Sequence, residues 1–226
     1  MTYDLFIGDR TFSSWSLRGW LMLEKFGLPY RTRMVGLYSG TMAQDLAPLA
    51  PARLVPALRT AEGDVIGESI AMAETLAERH PDAGLWPSDP ALRARARWLC
   101  AEMTSGFAAL RDACPMQLQH VNAGFVPSDA VRSDLDRLEQ IWTSARDLAG
   151  TQDGWLLGRY SLADVFFAPV AARIIGYALP VSDSARSYCE RTIQDPAFRR
   201  WRSEGLTQTY EPFPYPVYAP CTDWPA

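Results

Sequence analysis

The chain has 226 residues, which is long enough for one large domain or two modest ones with a buried core. A formal net charge of −4 argues against a nucleic-acid or anionic-membrane surface, because both need clustered Lys and Arg. The start at Met1 has no signal-peptide pattern, and no apolar run approaches about 18 residues, so we expect a cytoplasmic protein that contacts no membrane. Four widely spaced cysteines and two histidines predict neither a disulfide framework nor a metal site.

The first 80 residues predict an α/β domain. Apolar runs and helix-terminating residues alternate as strand, helix, strand, helix, strand, strand and helix. The crossover rule makes the first two strands parallel. The predicted elements cover residues 3–8, about 15–26, 30–35, 43–49, 55–58, 64–66 and 68–77.

Composition changes at residues 81–90, which contain three prolines and no periodicity and are typical of a linker. We therefore divide the chain into a first domain at 1–80 and a second, all-helical domain at 91–211. The five prolines of the tail, residues 212–226, forbid regular structure there.

The second domain begins with apolar residues spaced by threes and fours, which predict one long helix from Ala91 to Pro115. Another long helix is predicted around 131–148, and shorter helices follow Ser182 and Asp195. Between them, Ser161 and Asp164 resemble a capping box at the start of a helix that continues to about residue 175. We assign Ser161 and Asp164 a structural role.

Val55 and Pro56 form an unusual pair, because a proline within a strand donates no ladder hydrogen bond. A cis bond before Pro56 would turn the chain and leave the Val55 N–H and C=O free to pair with an extended peptide ligand. Glu68 and Ser69 then open a helix, whose N-terminus suits a carboxylate. Ser69 is alternatively a simple N-cap, and Glu68 a solvated first-turn acid.

Ser13, Ser14 and Ser16 lie just before the first helix. One serine suffices as an N-cap, which leaves hydroxyls available for another role. A hydroxyl beside a helix N-terminus can also donate a hydrogen bond to an anion bound there, without needing a histidine base. Ser13 is therefore either a helix cap or a hydrogen-bond donor in catalysis.

These motifs, in this order, resemble the cytosolic glutathione S-transferase family. The resemblance spans nearly the whole chain and rests on residues 13–18, 54–58, 68–71 and 158–164. The first of these segments is most similar to the serine-type branch, with its zeta-like and bacterial maleylacetoacetate isomerase-like members. The resemblance implies a thioredoxin-like α/β N-terminal domain, an all-α helical bundle as C-terminal domain, and a homodimer.

The resemblance also implies roles for individual residues. Ser13, with Ser14 beside it, would contact the sulfur of glutathione, the co-substrate. The Val55 backbone would pair with the cysteinyl unit before a cis Pro56. Glu68 and Ser69 would contact the γ-glutamyl group. The glycyl carboxylate would fall to Arg53 or to another residue, because Leu54 stands where many relatives carry a polar residue. No metal is implied.

A second substrate would lie against Trp15, Met103 and Phe107, although the last two have the helical spacing of plain core residues. The first hypothesis is a transferase that adds the glutathione thiolate to a small hydrophobic electrophile. One alternative is a cis–trans isomerase of the maleylacetoacetate type. Trp15 argues against it, because the zeta-like loop has a small residue or Cys there. Another is a non-catalytic binding protein with the same fold.

Overall fold

A four-stranded sheet organises the amino-terminal half of the computed structural model, which describes residues 2–37, 39–207 and 215–225. The order of the strands is β2-β1-β3-β4. β1 and β2 are parallel, with Leu5 opposite Thr32, so the predicted parallel pairing is confirmed. β3 and β4 are antiparallel to their neighbours. The strands are β1 (Tyr3–Ile7), β2 (Tyr30–Met34), β3 (Ala57–Arg59) and β4 (Val65–Ile66).

Helices cover this sheet because alternate residues of β1 are apolar and need a partner layer. Tyr3, Leu5 and Ile7 are buried in one core with Leu17 and Trp20. The helices of this half are α1 (Ser14–Glu24), α2 (Met42–Leu46) with a 3₁₀ turn at Ala47–Leu49, and α3 (Ser69–Arg79). A thioredoxin-like α/β domain is thus confirmed.

The remaining elements form the predicted helical domain, apart from one small sheet. Helices follow Ser182 and Asp195, as predicted, and the two residues cap them by accepting from the Ala185 and Ala197 N–H groups at 3.3 and 2.9 Å. The elements are α4 (Pro90–Ser105), α5 (Ala108–Ala113), β5 (His120–Asn122), α6 (Asp129–Ala149), α7 (Leu162–Gly176), α8 (Asp183–Gln194), α9 (Pro196–Leu206) and β6 (Cys221–Asp223).

The predicted single helix from Ala91 to Pro115 is wrong, because the chain leaves helical geometry at two residues. Gly106 is extended, with ψ at −169°, and Phe107 is in the left-handed region, with φ at 58°. Helix α5 then restarts, and its Leu110 N–H donates to Asp134 Oδ2 of α6 at 2.9 Å. The apolar spacing passes through this break undisturbed, which is why periodicity alone missed it.

The prediction that the tail has no regular structure is also wrong, and the otherwise helical second domain contains one short strand, β5. β6 in the tail pairs antiparallel with β5, with Val121 opposite Thr222. The strand lies between Pro220 and Pro225, where no proline removes a ladder hydrogen bond. Of the predicted tail, residues 212–214 and 226 lie outside the described residues.

Helix α7 is the centre of the helical domain, because all of its residues are buried. It packs against α1, α4 and α8. The predicted capping box is confirmed, since Ser161 Oγ accepts from a first-turn N–H while Asp164 Oδ2 accepts from the Ser161 N–H at 2.9 Å. Asp164 Oδ1 also accepts from the Leu156 N–H at 3.1 Å and the Tyr188 hydroxyl at 3.3 Å. Burial raises the pKa of this carboxyl to about 6, against the lowering effect of these donors.

We expect Asp164→Ala to lower the free energy of unfolding by about 2–4 kcal/mol, because it leaves buried donors on Leu156, Ser161 and Tyr188 without an acceptor. Asp183→Ala, in the exposed first turn of α8, is the control and should cost less than about 0.5 kcal/mol. Urea denaturation measures both values. Equal losses in the two variants would contradict the assigned role of Asp164.

Candidate functional site

A cleft of about 430 Å³ opens where the two halves of the chain meet. The α/β half contributes the start of α1, the chain at Val55–Pro56 and the start of α3. The helical half contributes two arginines and the turn at 115–116, and the tail contributes one tyrosine. The principal lining side chains are Phe12, Ser13, Ser14, Trp15, Ser69, Arg111, Arg173 and Tyr215.

Ser13 is the N-cap of α1, so the capping role considered from the sequence is confirmed. Its Oγ accepts from the Ser16 N–H at 3.4 Å and donates to Ser16 Oγ at 2.7 Å. Ser16 Oγ also accepts from the Gly8 N–H at 3.0 Å. Because a hydroxyl hydrogen rotates to suit its partners, the two hydroxyls form a short chain whose direction a ligand can reverse. The catalytic role of Ser13 stays a prediction.

The peptide bond between Val55 and Pro56 is cis, as predicted. β3 begins only at Ala57, so Val55 lies before the ladder. Among the described residues, no backbone partner is bonded to the Val55 N–H or C=O. Both groups therefore remain available to an extended peptide at the cleft wall.

Ser69 is the first residue of α3, and Glu68 takes the N-cap position without making a side-chain capping bond. The alternative of Ser69 as N-cap is therefore wrong. Ser69 Oγ is buried and has no hydrogen-bond partner within the described residues. A buried hydroxyl without a partner is costly unless a ligand satisfies it, and the first turn of α3 adds free N–H groups. The combination suits a carboxylate.

Two arginines bring positive charge to the opposite wall of the cleft. Arg173 of α7 donates to the Cys114 carbonyl at 2.9 Å and, more weakly, to Ser14 Oγ at 3.4 Å. Arg111 donates to the Thr104 and Gly106 carbonyls, at 3.5 and 3.4 Å, where the negative end of the α4 dipole favours a cation. In the described part of the chain, no carboxylate lies within ion-pair distance of either guanidinium.

Trp15 connects this wall to a third, buried arginine. Its ring centroid is 4.2 Å from the Arg18 guanidinium and 5.1 Å from that of Arg111. Burial, with repulsion from Arg173 and Arg111, lowers the pKa of Arg18 to about 9. Burial, with repulsion from Arg111, lowers the pKa of Arg173 to about 10. Arg18 and Arg173 therefore stay cationic at neutral pH despite their burial, and the cleft favours an anionic ligand.

The structure separates some residues that the sequence had grouped. Met103 and Phe107 do not line the cleft, so their predicted role in the second-substrate pocket is wrong; both are buried in the core, as helical spacing usually implies. Arg53 is exposed and lies along an adjoining groove, not in the cleft. Trp15, Val55, Pro56, Glu68 and Ser69 do line it.

Sequence reasoning missed Arg111, Arg173 and Tyr215. Arg173 had a detectable signal, because it is a lone cation near the end of the apolar run that forms α7. Arg111 had none, since its position depends on the break before α5. Tyr215 lies in a tail whose path the sequence does not reveal.

Three further findings concern the described residues. They contain no group of three or more His, Cys, Asp or Glu side chains that could hold a metal ion. Cys100, Cys114 and Cys189 are buried free thiols, and burial raises the pKa of Cys114 to about 12. Within the same residues, no helix is long and apolar enough to cross a bilayer.

The fold and the cleft together define a class of proteins that hold a peptide against a thioredoxin-like edge beneath a helical domain. A family model described as the glutathione S-transferase N-terminal domain matches residues 12–79. The chain is 33% identical to a maleylacetoacetate isomerase from Pseudomonas aeruginosa over 84% of its own length and 91% of that protein. It therefore belongs to the glutathione S-transferase family, and the predicted family and fold are confirmed.

Other relatives agree with this assignment. A maleylacetoacetate isomerase from Rattus norvegicus is 29% identical over 76% of this chain and 78% of that protein. A solved glutathione transferase homolog from Burkholderia, with bound glutathione, shares the fold with a TM-score of 0.67 and 23% identity, covering 92% of this chain and 99% of that one.

We expect Ser69→Ala to change the free energy of unfolding by less than about 0.5 kcal/mol, because the Ser69 hydroxyl makes no bond within the described residues. Ser16→Ala should cost about 1–2 kcal/mol, because it leaves the buried Gly8 N–H without its acceptor. Chemical denaturation of the two variants gives the comparison. An equal loss of unfolding free energy in the two variants would show that the Ser69 hydroxyl has a structural partner and is not available to a ligand.

Proposed function

We propose that this protein binds glutathione in the cleft and adds its thiolate reversibly to an unsaturated carboxylate substrate, as in cis–trans isomerisation of the maleylacetoacetate type. The observation that carries the proposal is the pair Arg111 and Arg173, which line the cleft beside Ser14 without a described carboxylate partner. The names of the Pseudomonas and Rattus relatives support the same reaction.

Glutathione is a tripeptide with two carboxylates, and the α/β side of the cleft offers complementary groups. The Val55 N–H and C=O would pair with its cysteinyl unit, next to the cis Pro56. Ser69 Oγ and the first N–H groups of α3 would hold the γ-glutamyl carboxylate, and Glu68 its ammonium group. We assign no residue to the glycyl carboxylate, because Arg53 lies outside the cleft.

The thiol must lose its proton before it attacks, and a free thiol has a pKa of about 8.5. We infer that Ser13 donates to the thiolate once its hydroxyl turns away from Ser16. Ser16 would then donate to Ser13 while still accepting from Gly8, so that the serine chain points at the sulfur. The N-terminus of α1 adds a favourable dipole. This is the serine-type mechanism that the motif resemblance implied.

The reaction balances without another reagent. The thiolate forms a carbon–sulfur bond to the cis double bond, and the displaced electron pair moves into the conjugated carbonyl group. Rotation about the resulting single bond precedes loss of the thiolate, which restores the double bond in trans form and regenerates glutathione. Arg111 and Arg173 would hold the substrate carboxylate and the developing oxyanion.

Conjugation of glutathione to a small hydrophobic electrophile is the second candidate function. It is favoured by the apolar part of the lining, to which Phe12, Met42 and Met116 contribute. The two functions share glutathione and the thiolate and differ in the charge of the other substrate. Homodimeric assembly and a cytoplasmic location stay predictions from the family resemblance.

Ser13→Ala should raise the pKa of the bound thiol by about 1–2 and lower kcat about 10²-fold, because the thiolate loses its hydroxyl donor. The measurements are the thiolate absorbance of bound glutathione and the pH–rate profile. Ser14→Ala is the matched control, with a smaller change expected. A shift confined to Ser14→Ala would transfer the role to that residue, and unchanged profiles in both variants would remove the serine mechanism.

Arg111→Gln should raise KM for a maleylacetoacetate-type substrate by about 10-fold, because one charge-assisted hydrogen bond is lost. Arg173→Gln should do the same, with circular dichroism checking the fold because Arg173 also bonds buried carbonyls. Arg132→Gln on exposed α6 surface is the charge-matched control. Equal losses towards a neutral aryl halide would refute selection of anionic substrates, and no glutathione binding at millimolar concentration would refute both enzymatic functions.

A further inference from the structure

The described part of the tail, residues 215–225, forms a segment that we call the carboxyl-terminal strap. One portion of it is bonded to the helical domain through the small sheet of β5 and β6, where Asn122 lies opposite Cys221. The Tyr218 N–H donates to Asn122 Oδ1 at 3.0 Å, and the Gly124 N–H donates to the Tyr218 carbonyl at 3.3 Å. These bonds fix the register of the strap on the loop after β5.

Aromatic side chains anchor the same portion. The Tyr218 ring meets Phe125 edge-on, with centroids 5.0 Å apart. Trp224 is buried, and the Arg202 guanidinium lies 5.4 Å from its ring centroid. An aromatic residue in such a contact contributes about 0.5–1.5 kcal/mol beyond its buried area, so the strap is held by more than its short ladder.

A glycine lies where the strap crosses the loop, and only glycine fits. A Cβ on Gly124 would lie 1.7 Å from the Ala219 carbonyl oxygen, although Gly124 itself is not in the left-handed region. The constraint at Gly124 therefore comes from the strap and not from local backbone conformation. An added methyl group at this position must displace the strap.

At the other end of the strap, Tyr215 lines the cleft. The Tyr215 ring packs against Phe12, with centroids 5.2 Å apart and planes at 33°. Phe12 immediately precedes Ser13, and Tyr215 is close enough to Arg173 to affect its pKa. Tyr215 thus lines the same cleft as Phe12, Ser13 and Ser14.

We propose that Tyr215 is a specificity-determining residue and that the strap, anchored at Gly124 and Trp224, is what positions it. Together with Phe12 it provides an aromatic wall for the carbon skeleton attached to the glutathione sulfur. The inference rests on the proposed function, because it assumes that glutathione places its sulfur beside Ser13. Tyr215 would thus help to determine which substrate shapes fit, although it lies outside both the α/β domain and the helices.

The test is calorimetric binding of glutathione and of its S-hexyl thioether, which carries a carbon chain on the sulfur. Wild type should bind the thioether about tenfold more tightly than glutathione, since the chain buries apolar surface against the wall. Tyr215→Ala should reduce this preference to about twofold with little change in glutathione affinity, and Tyr215→Phe should retain it.

Gly124→Ala should reproduce the loss of preference from outside the cleft, because it displaces the strap. Adding Gly124→Ala to Tyr215→Ala should then have no further effect. Ala123→Val adds carbon atoms at the exposed neighbouring position and is the control, expected to behave as wild type. Trp224→Ala removes the other anchor and replaces Gly124→Ala if that variant does not fold.

Three outcomes would overturn different conclusions: the proposed function, the role of Tyr215, or the role of the strap. Failure of wild type to bind either ligand overturns the proposed function. Normal binding with an unchanged preference in Tyr215→Ala overturns the role of Tyr215 alone. Loss in Tyr215→Ala but not in Gly124→Ala or Trp224→Ala overturns the role of the strap as its support.

Discussion

Burial of the whole of α7 is the constraint on which the rest of the structure depends. A helix without a solvated face needs protein partners for its first-turn N–H groups, and here the Leu85 carbonyl and Ser161 Oγ accept from the Leu162 and Ala163 N–H groups. The Asp164 carboxylate joins this end to its surroundings by accepting from Leu156, Ser161 and Tyr188. The Phe166 carbonyl then accepts from Arg18 Nε of α1 at 3.0 Å, which joins the two domains. Arg173 lies near the other end of α7 and lines the cleft. The same helix therefore forms the centre of the core and contributes positive charge to the site.

The positive charge of the cleft is held in place by neutral groups. Arg173 and Arg111 bond to backbone carbonyls, and Arg111 also lies near the Trp15 ring. Carbonyls and an aromatic face fix a guanidinium without cancelling its charge, whereas a carboxylate would cancel it. The positive charge therefore remains available to a ligand. Trp15 contributes to this arrangement, since its ring lies 5.1 Å from the Arg111 guanidinium.

Much of the fold and half of the site could be predicted from sequence because their signals are local. The cis Val55–Pro56 bond, the Ser161–Asp164 box and the N-terminus at Ser69 each depend on residues a few positions apart. The cationic wall could not be predicted, because it joins residues about 60 positions apart through a helix break that preserves apolar periodicity. Tyr215 depends on a strand pair between β5 and β6, about 100 positions apart, whose short partners have no alternating pattern of their own.

The break at Gly106 and Phe107 links backbone geometry to the positive charge of the cleft wall. It creates two opposite helix ends within a few residues: the carbonyl end of α4 faces Arg111, and the amide end of α5 takes the Asp134 carboxylate. A Cβ at Gly106 would lie 2.9 Å from the Glu102 carbonyl oxygen, so the break depends on one small residue. An uninterrupted helix would bond those carbonyls internally and release the guanidinium. In this chain, the small size of one glycine therefore helps to keep a guanidinium at the cleft wall, although Gly106 itself does not line the cleft.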